Sequence, residues 1–378
     1  MKICFFGNIS GALNGKTIGG GELQIALLAR SLAKAGNEII IVDPYNNEEL
    51  ITDEGIRVIT VPDWNAGFRI ARMFSHRIPA LLKILKLQRA DVYYIRMRSF
   101  YNFLPYLAAK AVNAKFVFAV ASDLDILGFP DRFSHHYIKS MHWYDWIANA
   151  LPTELVLPYL LRHADIILTQ HEMQKKELDR KNIPSIIFQN LIDIQSILSN
   201  SSTSKREGYA YVGAIDPRKG FSDFIAIAET VKSKFFKAIG EPRGKGAELL
   251  CKRFRQLPNV KMLGYLSHKE TIQHIANSEA LICTSAFEGF PNTFLEAWCL
   301  GTPVISLSVD PGGVIERERL GLFCRGDLKE LIKAVTEEPP HCDPELLHKY
   351  VRSYHSYEGA ANRFLSIVND LGLRKQSF

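Results

Sequence analysis

The chain has no C-x-x-C pair, and its six cysteines (Cys4, Cys251, Cys283, Cys299, Cys324 and Cys342) are scattered, with no histidine cluster at zinc-ligand spacing. That argues against a structural zinc site or a disulfide framework. Thiols inside apolar runs such as Ala280-Leu-Ile-Cys283 read instead as buried and reduced, the pattern of a cytosolic protein. No stretch reaches the roughly 18 continuous apolar residues that cross a bilayer, so any membrane contact is expected to be peripheral. The opening Met1-Lys-Ile-Cys-Phe-Phe-Gly7 is too short for the core of a signal peptide and reads as a first buried strand ending in a glycine turn. Tracts of Gln, Ser or Pro are absent, which removes the usual grounds for long disorder.

What is present is an ordinary globular balance: 47% apolar and 23% charged residues in 378, enough chain for two hydrophobic cores of normal size. Short apolar runs alternate with helix-like stretches from the start. Ile3 to Phe6 is followed by an amphipathic run from Glu22 to Ala35, and then by Glu38 to Val42. Val58 to Val61, Val92 to Ile95, Phe116 to Val120, Ile166 to Leu168 and Ile186 to Phe188 continue the series. Runs without polar alternation suit strands covered on both faces, so the sheet is expected to be parallel.

The pattern lapses between Asn190 and Gly208, where Ser199-Asn-Ser-Ser-Thr-Ser204-Lys-Arg is polar and rich in turn formers, and the linker is placed there. A second series follows at Tyr209 to Val212, Phe235 to Ile239, Val260 to Leu263, Ala280 to Cys283 and Val304 to Ser306. The expected architecture is α/β, two Rossmann-like doubly wound domains facing a cleft, spanning residues 1–195 and 196–355, with 356–378 as a terminal helix. In such sheets ligands bind beyond the carboxyl ends of the strands.

The most informative segment runs from Glu288-Gly-Phe-Pro-Asn-Thr-Phe-Leu-Glu296 through Ala-Trp-Cys-Leu-Gly301-Thr-Pro303 to Val-Ile-Ser306. It reads as a tight loop, a helix beginning near Asn292, a glycine stop and a strand. A helix start presents unpaired N–H groups and a positive dipole end, which suit a diphosphate. Glu296 falls about one turn into that helix and Glu288 on the loop before it.

This segment resembles the signature of family 4 glycosyltransferases of the GT-B fold, retaining enzymes in which two glutamates with seven residues between them precede Ala and a G-x-P-V strand. The resemblance implies that Glu296 holds the ribose hydroxyls of a nucleotide and Glu288 the donor-sugar hydroxyls, while Gly289, Phe290, Pro291, Asn292 and Thr293 line sugar and phosphates. Tyr211-Val-Gly213-Ala-Ile-Asp-Pro-Arg218-Lys219-Gly220 is similar to the family's first donor-domain strand and loop. There an Arg directly after Gly213 and a Lys five residues on would neutralise the diphosphate; Lys219 matches, but the Arg position holds Ala214. Arg218, beside Lys219, is the expected substitute.

In the first half, Gly19-Gly20-Gly21 opens the first long helix where the family carries glycines under the donor phosphates. Asp123 matches a His-Asp pair whose histidine position holds Ser122. Asp123-x-Asp125 also looks like the metal motif of the other glycosyltransferase fold; no metal and no cofactor is expected, the nucleotide-sugar being a substrate. The resemblance thus implies Glu288, Lys219 and Asp123 as catalytic residues, a UDP- or GDP-sugar donor, and a saccharide or lipid-linked acceptor, in polysaccharide or glycolipid assembly. A sugar-nucleotide epimerase of the same fold and a non-catalytic nucleotide-sugar-binding protein are the alternatives.

From Trp64 to Lys115 there are ten basic residues, Arg69, Arg72, Arg77, Lys83, Lys86, Arg89, Arg96, Arg98, Lys110 and Lys115, against the single acid Asp91. Phe68, Phe74, Tyr101 and Phe103 are interleaved. This suits anionic lipid headgroups at the inner face of the plasma membrane, or a lipid-linked diphosphate; no nucleic-acid motif accompanies the charge. Phe129 to Trp146, rich in histidine and aromatic residues, could stack on an acceptor sugar or form core. Tyr357 to Leu371 has helical periodicity and, by the resemblance, crosses back onto the first domain.

Overall fold

The computed structural model describes residues 1–15, 19–67, 73–127, 150–202, 205–337 and 340–374. Phe68, Arg69, Arg72 and the stretch from Phe129 to Trp146 lie outside them. The chain divides into two compact units. Of the described residues, the first holds those up to Leu191 together with 357–374, and the second holds those of Ile192–Ser356.

Eight strands build the first unit: β1 (Lys2–Phe6), β2 (Glu38–Val42), β3 (Leu50–Ile51), β4 (Arg57–Ile59), β5 (Val92–Arg96), β6 (Lys115–Ala119), β7 (Ile166–Thr169) and β8 (Ile186–Ile187). Their order is β3-β4-β2-β1-β5-β6-β7-β8, parallel throughout except for β3 against β4. The two-residue strand β3, too short for any periodicity, escapes a reading of the sequence.

The continuous apolar runs have the physical cause inferred for them, because successive residues go to opposite covered faces. Ile3, Phe5, Ile39, Ile41 and Tyr94 join one core; Cys4, Phe6, Ile40, Val42 and Tyr93 join the other. The helix Gly20–Lys34 buries Ile25, Leu28 and Leu32 against the first of these. The terminal helix Ala360–Arg374 belongs to that same core, inserting Ala360, Ala361, Phe364 and Val368, and Ala361 N–H donates to Ser31 Oγ at 3.1 Å.

The second unit has six parallel strands: β9 (Tyr209–Val212), β10 (Phe236–Ile239), β11 (Val260–Gly264), β12 (Ala280–Cys283), β13 (Val304–Ser306) and β14 (Gly321–Phe323), in the order β11-β10-β9-β12-β13-β14. Within the stretch read as linker, Ile194–Ser199 is a short helix whose start is capped by Asp193, accepting from Ser196 N–H at 3.0 Å.

In each sheet the order reverses once, between β1 and β5 in the first and between β9 and β12 in the second. Loops leaving two neighbouring strands at such a point depart to opposite sides and open a crevice. The loops after β9 and β12 carry the Lys219 and Glu288 segments.

Candidate functional site

The β9 loop, Gly213 to Gly220, ends in a turn of 3-10 helix, Pro217–Lys219. Asp216 starts it by accepting from Arg218 N–H at 2.9 Å. Gly220 then adopts φ 66°, where a Cβ would lie 2.0 Å from the Thr284 carbonyl oxygen at the end of β12. Only glycine lets the two loops touch here. Thr284 Oγ1 donates back to the Lys219 carbonyl at 3.2 Å, tying the loops together.

This packing delivers the Lys219 ammonium to Glu288, Nζ to Oε1 2.6 Å, with both side chains partly exposed. The following helix, Asn292–Cys299, starts at Pro291 without a side-chain cap, and a helix start carries the positive dipole end that suits an anion. The Phe290 ring packs 4.7 Å from His355 and 6.2 Å from Trp298. Gly289 to Thr293 are expected to offer backbone.

Glu296, one turn in, is buried, and accepts from His268 Nε2–H at 2.9 Å. That bond holds the imidazole above its ordinary pKa, outweighing the burial that would lower it. His268 was not legible as a site residue, since it lies 28 positions from Glu296 and nothing local marks it.

Arg218 is not aimed at Glu288. Its guanidinium grips Asp216, Nε lying 3.0 Å from both carboxylate oxygens while a terminal nitrogen donates to Oδ2. Burial pushes the Asp216 carboxyl up, but the Arg218 hydrogen bonds together outweigh it and hold the group below its usual range. Gly213, where β9 ends, leaves its N–H to the Ile239 carbonyl at 3.0 Å.

In the first unit, Gly20 and Gly21 form the first turn of their helix, and a Cβ on Gly21 would meet the Met97 side chain at 2.7 Å. Met97 itself, just past β5, adopts φ 75°, a strained conformation for a side-chain-bearing residue. Asp125 is consumed structurally: it accepts from Ala121 and Ser122 N–H at 2.8 and 3.0 Å and pairs with Arg98 at 3.1 Å. Ser122 caps the same turn, accepting from Leu124 N–H at 3.3 Å. Asp123 is left half-exposed, accepting from Gln174 Nε2 at 2.8 Å. An imidazole does stand beside it, from another strand: His171, just past β7, places Nε2 3.3 Å from Asp123 Oδ1.

The basic stretch is partly consumed as well. Arg77 stacks on Trp64 at 4.5 Å, Arg96 donates to Asn190 at 2.6 Å, Arg98 pairs with Asp125 and Glu154, Lys110 pairs with Asp165, and Lys115 donates to the Val368 carbonyl. Lys83, Lys86 and Arg89 remain exposed on or just after the helix Ile78–Gln88, around a Leu87 that is 67% exposed. Among the described residues no helix is long and apolar enough to cross a membrane.

Comparison with known proteins covers both units. Residues 206–337 match the family of glycosyl transferases group 1, and residues 19–186 the glycosyl transferase 4-like domain. An uncharacterised glycosyltransferase of Methanocaldococcus jannaschii is 29% identical over 42% of this chain, a match that spans 43% of its own length. One component of the human phosphatidylinositol N-acetylglucosaminyltransferase is 23% identical over 92% of this chain and 72% of its own. Sucrose-phosphate synthase from Thermosynechococcus elongatus shares the fold, with a TM-score of 0.75 at 15% identity over 99% of this chain and all of that one. With a glycosyl transferase 4-like domain in the first parallel-sheet unit and a glycosyl transferases group 1 domain in the second, the chain is a glycosyltransferase of the GT-B fold.

Proposed function

We propose that the protein transfers a sugar, with retention of configuration, from a UDP- or GDP-sugar to a saccharide or lipid-linked acceptor in polysaccharide or glycolipid assembly. The observation that carries this reading is the meeting of Lys219 and Glu288 at the switch point of the second sheet, directly before an uncapped helix start. A diphosphate placed there finds one fixed cation and a positive helix end, which stabilise the charge that develops as the C1–O bond breaks. In a front-face transfer the acceptor oxygen bonds to C1 while its proton passes to the departing phosphate. Lys219 then leaves Glu288 for the diphosphate, and Glu288 turns to the sugar hydroxyls. Asp123, kept in place by Gln174 and with His171 beside it, offers a carboxylate to a hydroxyl.

Incubation with UDP- and GDP-sugars tests this. Slow release of free sugar and nucleoside diphosphate supports a transferase; formation of an isomeric sugar nucleotide, or binding without turnover, would replace it by an epimerase or a binding protein. Glu296→Ala is expected to weaken nucleoside diphosphate binding by roughly 1.5–3 kcal/mol, the range for hydrogen bonds to a charged group. Equal affinity in calorimetry removes Glu296 from the nucleotide site.

The reading extends to contact with the inner face of the plasma membrane, supported by Lys83, Lys86, Arg89 and exposed Leu87. Each basic residue near an anionic surface is worth about 1 kcal/mol, so reversing all three should lower binding to phosphatidylserine vesicles by roughly a hundredfold or more. Unchanged sedimentation with vesicles would end this part of the reading.

A further inference from the structure

We infer that His268 is the positioning residue that fixes the Glu296 carboxylate for reading a ribose, a role that rests on the nucleotide reading above. Glu296 is the costly member of this site: its side chain is only 8% exposed, and a carboxylate removed from water needs a compensating donor. Its neighbours on the helix, Leu295, Ala297, Trp298 and Cys299, are all buried, and burial, with the Glu296 charge adding to it, pushes the Cys299 thiol up to about 12. Among the described residues the imidazole of His268 supplies the hydrogen bond that this carboxylate accepts, at 2.9 Å.

The helix that carries His268 does not need it. His268–Ala276 is started by a complete capping box: Ser267 Oγ accepts from Glu270 N–H at 3.3 Å, and the Glu270 carboxylate accepts from Ser267 N–H at 2.8 Å. The side chain is accounted for by what it does to Glu296. One Glu296 oxygen is anchored and the rotamer is set, so two vicinal hydroxyls meet a carboxylate whose ordering has already been completed.

A substrate-modification cycle tests this. Calorimetry compares UDP with 2′,3′-dideoxy-UDP, or the GDP pair if uridine nucleotides do not bind, on wild type, His268→Ala and His268→Gln. Wild type is expected to favour the ribonucleotide by roughly tenfold or more. His268→Ala should shrink that preference at least threefold while dideoxynucleotide affinity stays within twofold. His268→Gln, which restores an N–H donor, should keep most of it. If wild type shows no preference, Glu296 does not read the ribose and the nucleotide reading falls together with this inference. If wild type discriminates and His268→Ala discriminates equally, the reading stands and His268 has no part in it. A His268→Gln protein as indiscriminate as His268→Ala would overturn the hydrogen-bond role directly.

Discussion

Replacing Lys219 by alanine is expected to lower turnover by about 10²–10³-fold, the usual loss when one fixed group that stabilises developing charge is removed. The ammonium is held 2.6 Å from Glu288 on a turn begun by Asp216 and closed by Gly220, so the turn itself should survive the change. A rival explanation is that Lys219 merely neutralises Glu288. The double variant Lys219→Ala, Glu288→Gln separates the two when set against Glu288→Gln alone: neutralisation alone predicts no further loss of turnover, whereas a direct role on the diphosphate predicts a protein slower than Glu288→Gln. Arg218→Ala is expected to cost less, about tenfold, because the guanidinium is already paired with Asp216. Equal losses at Lys219 and Arg218, with partial rescue by Ala214→Arg, would mean that Arg218 leaves Asp216 to serve the phosphates.

The second large effect is expected at Gly220, through the fold. Gly220→Ala places a Cβ in the left-handed region, at a cost of about 1–2 kcal/mol. It also drives that atom to within 2.0 Å of the Thr284 carbonyl, which must move. With overpacking of about 1–3 kcal/mol added, the second unit should lose about 2–5 kcal/mol in a denaturant titration. The loops after β9 and β12 should separate, and turnover should fall with stability, because the Lys219–Glu288 pair depends on their contact. A Gly220→Ala protein of normal stability and normal turnover would show that the loops tolerate separation. Normal stability with lost turnover would localise the damage to the site.

Much of this molecule was readable from sequence because it is local. Ile3 to Phe6 and Val92 to Ile95 are apolar without alternation because both faces of each strand are covered, and that covering leaves its mark in every residue of the run. The helix that begins at Asn292 is announced by its proline and stopped by Gly301, so one turn of helix places Glu296 without further information. The short strands β3 and β14, of two and three residues, carry no period and were missed.

Partners that lie far apart in sequence could not be read. Lys219 meets Glu288 across 69 positions and His171 reaches Asp123 across 48, each pair joined because two neighbouring strands set their loops side by side, and His268 meets Glu296 across 28 because the two helices that carry them pack together. The basic stretch from Trp64 to Lys115 makes the same point from the other side. Charge counted along a chain cannot tell Arg96 and Arg98, which are spent on Asn190 and on Asp125 with Glu154, from Lys83 and Lys86, which face water. The sequence by itself determined the two parallel-sheet units, the helix starts and the identity of the acidic and basic groups, because backbone periodicity and turn chemistry act over a few residues. Only the tertiary structure decided which cation faces which carboxylate, because strand order brings those side chains within hydrogen-bonding distance and no short-range rule encodes it.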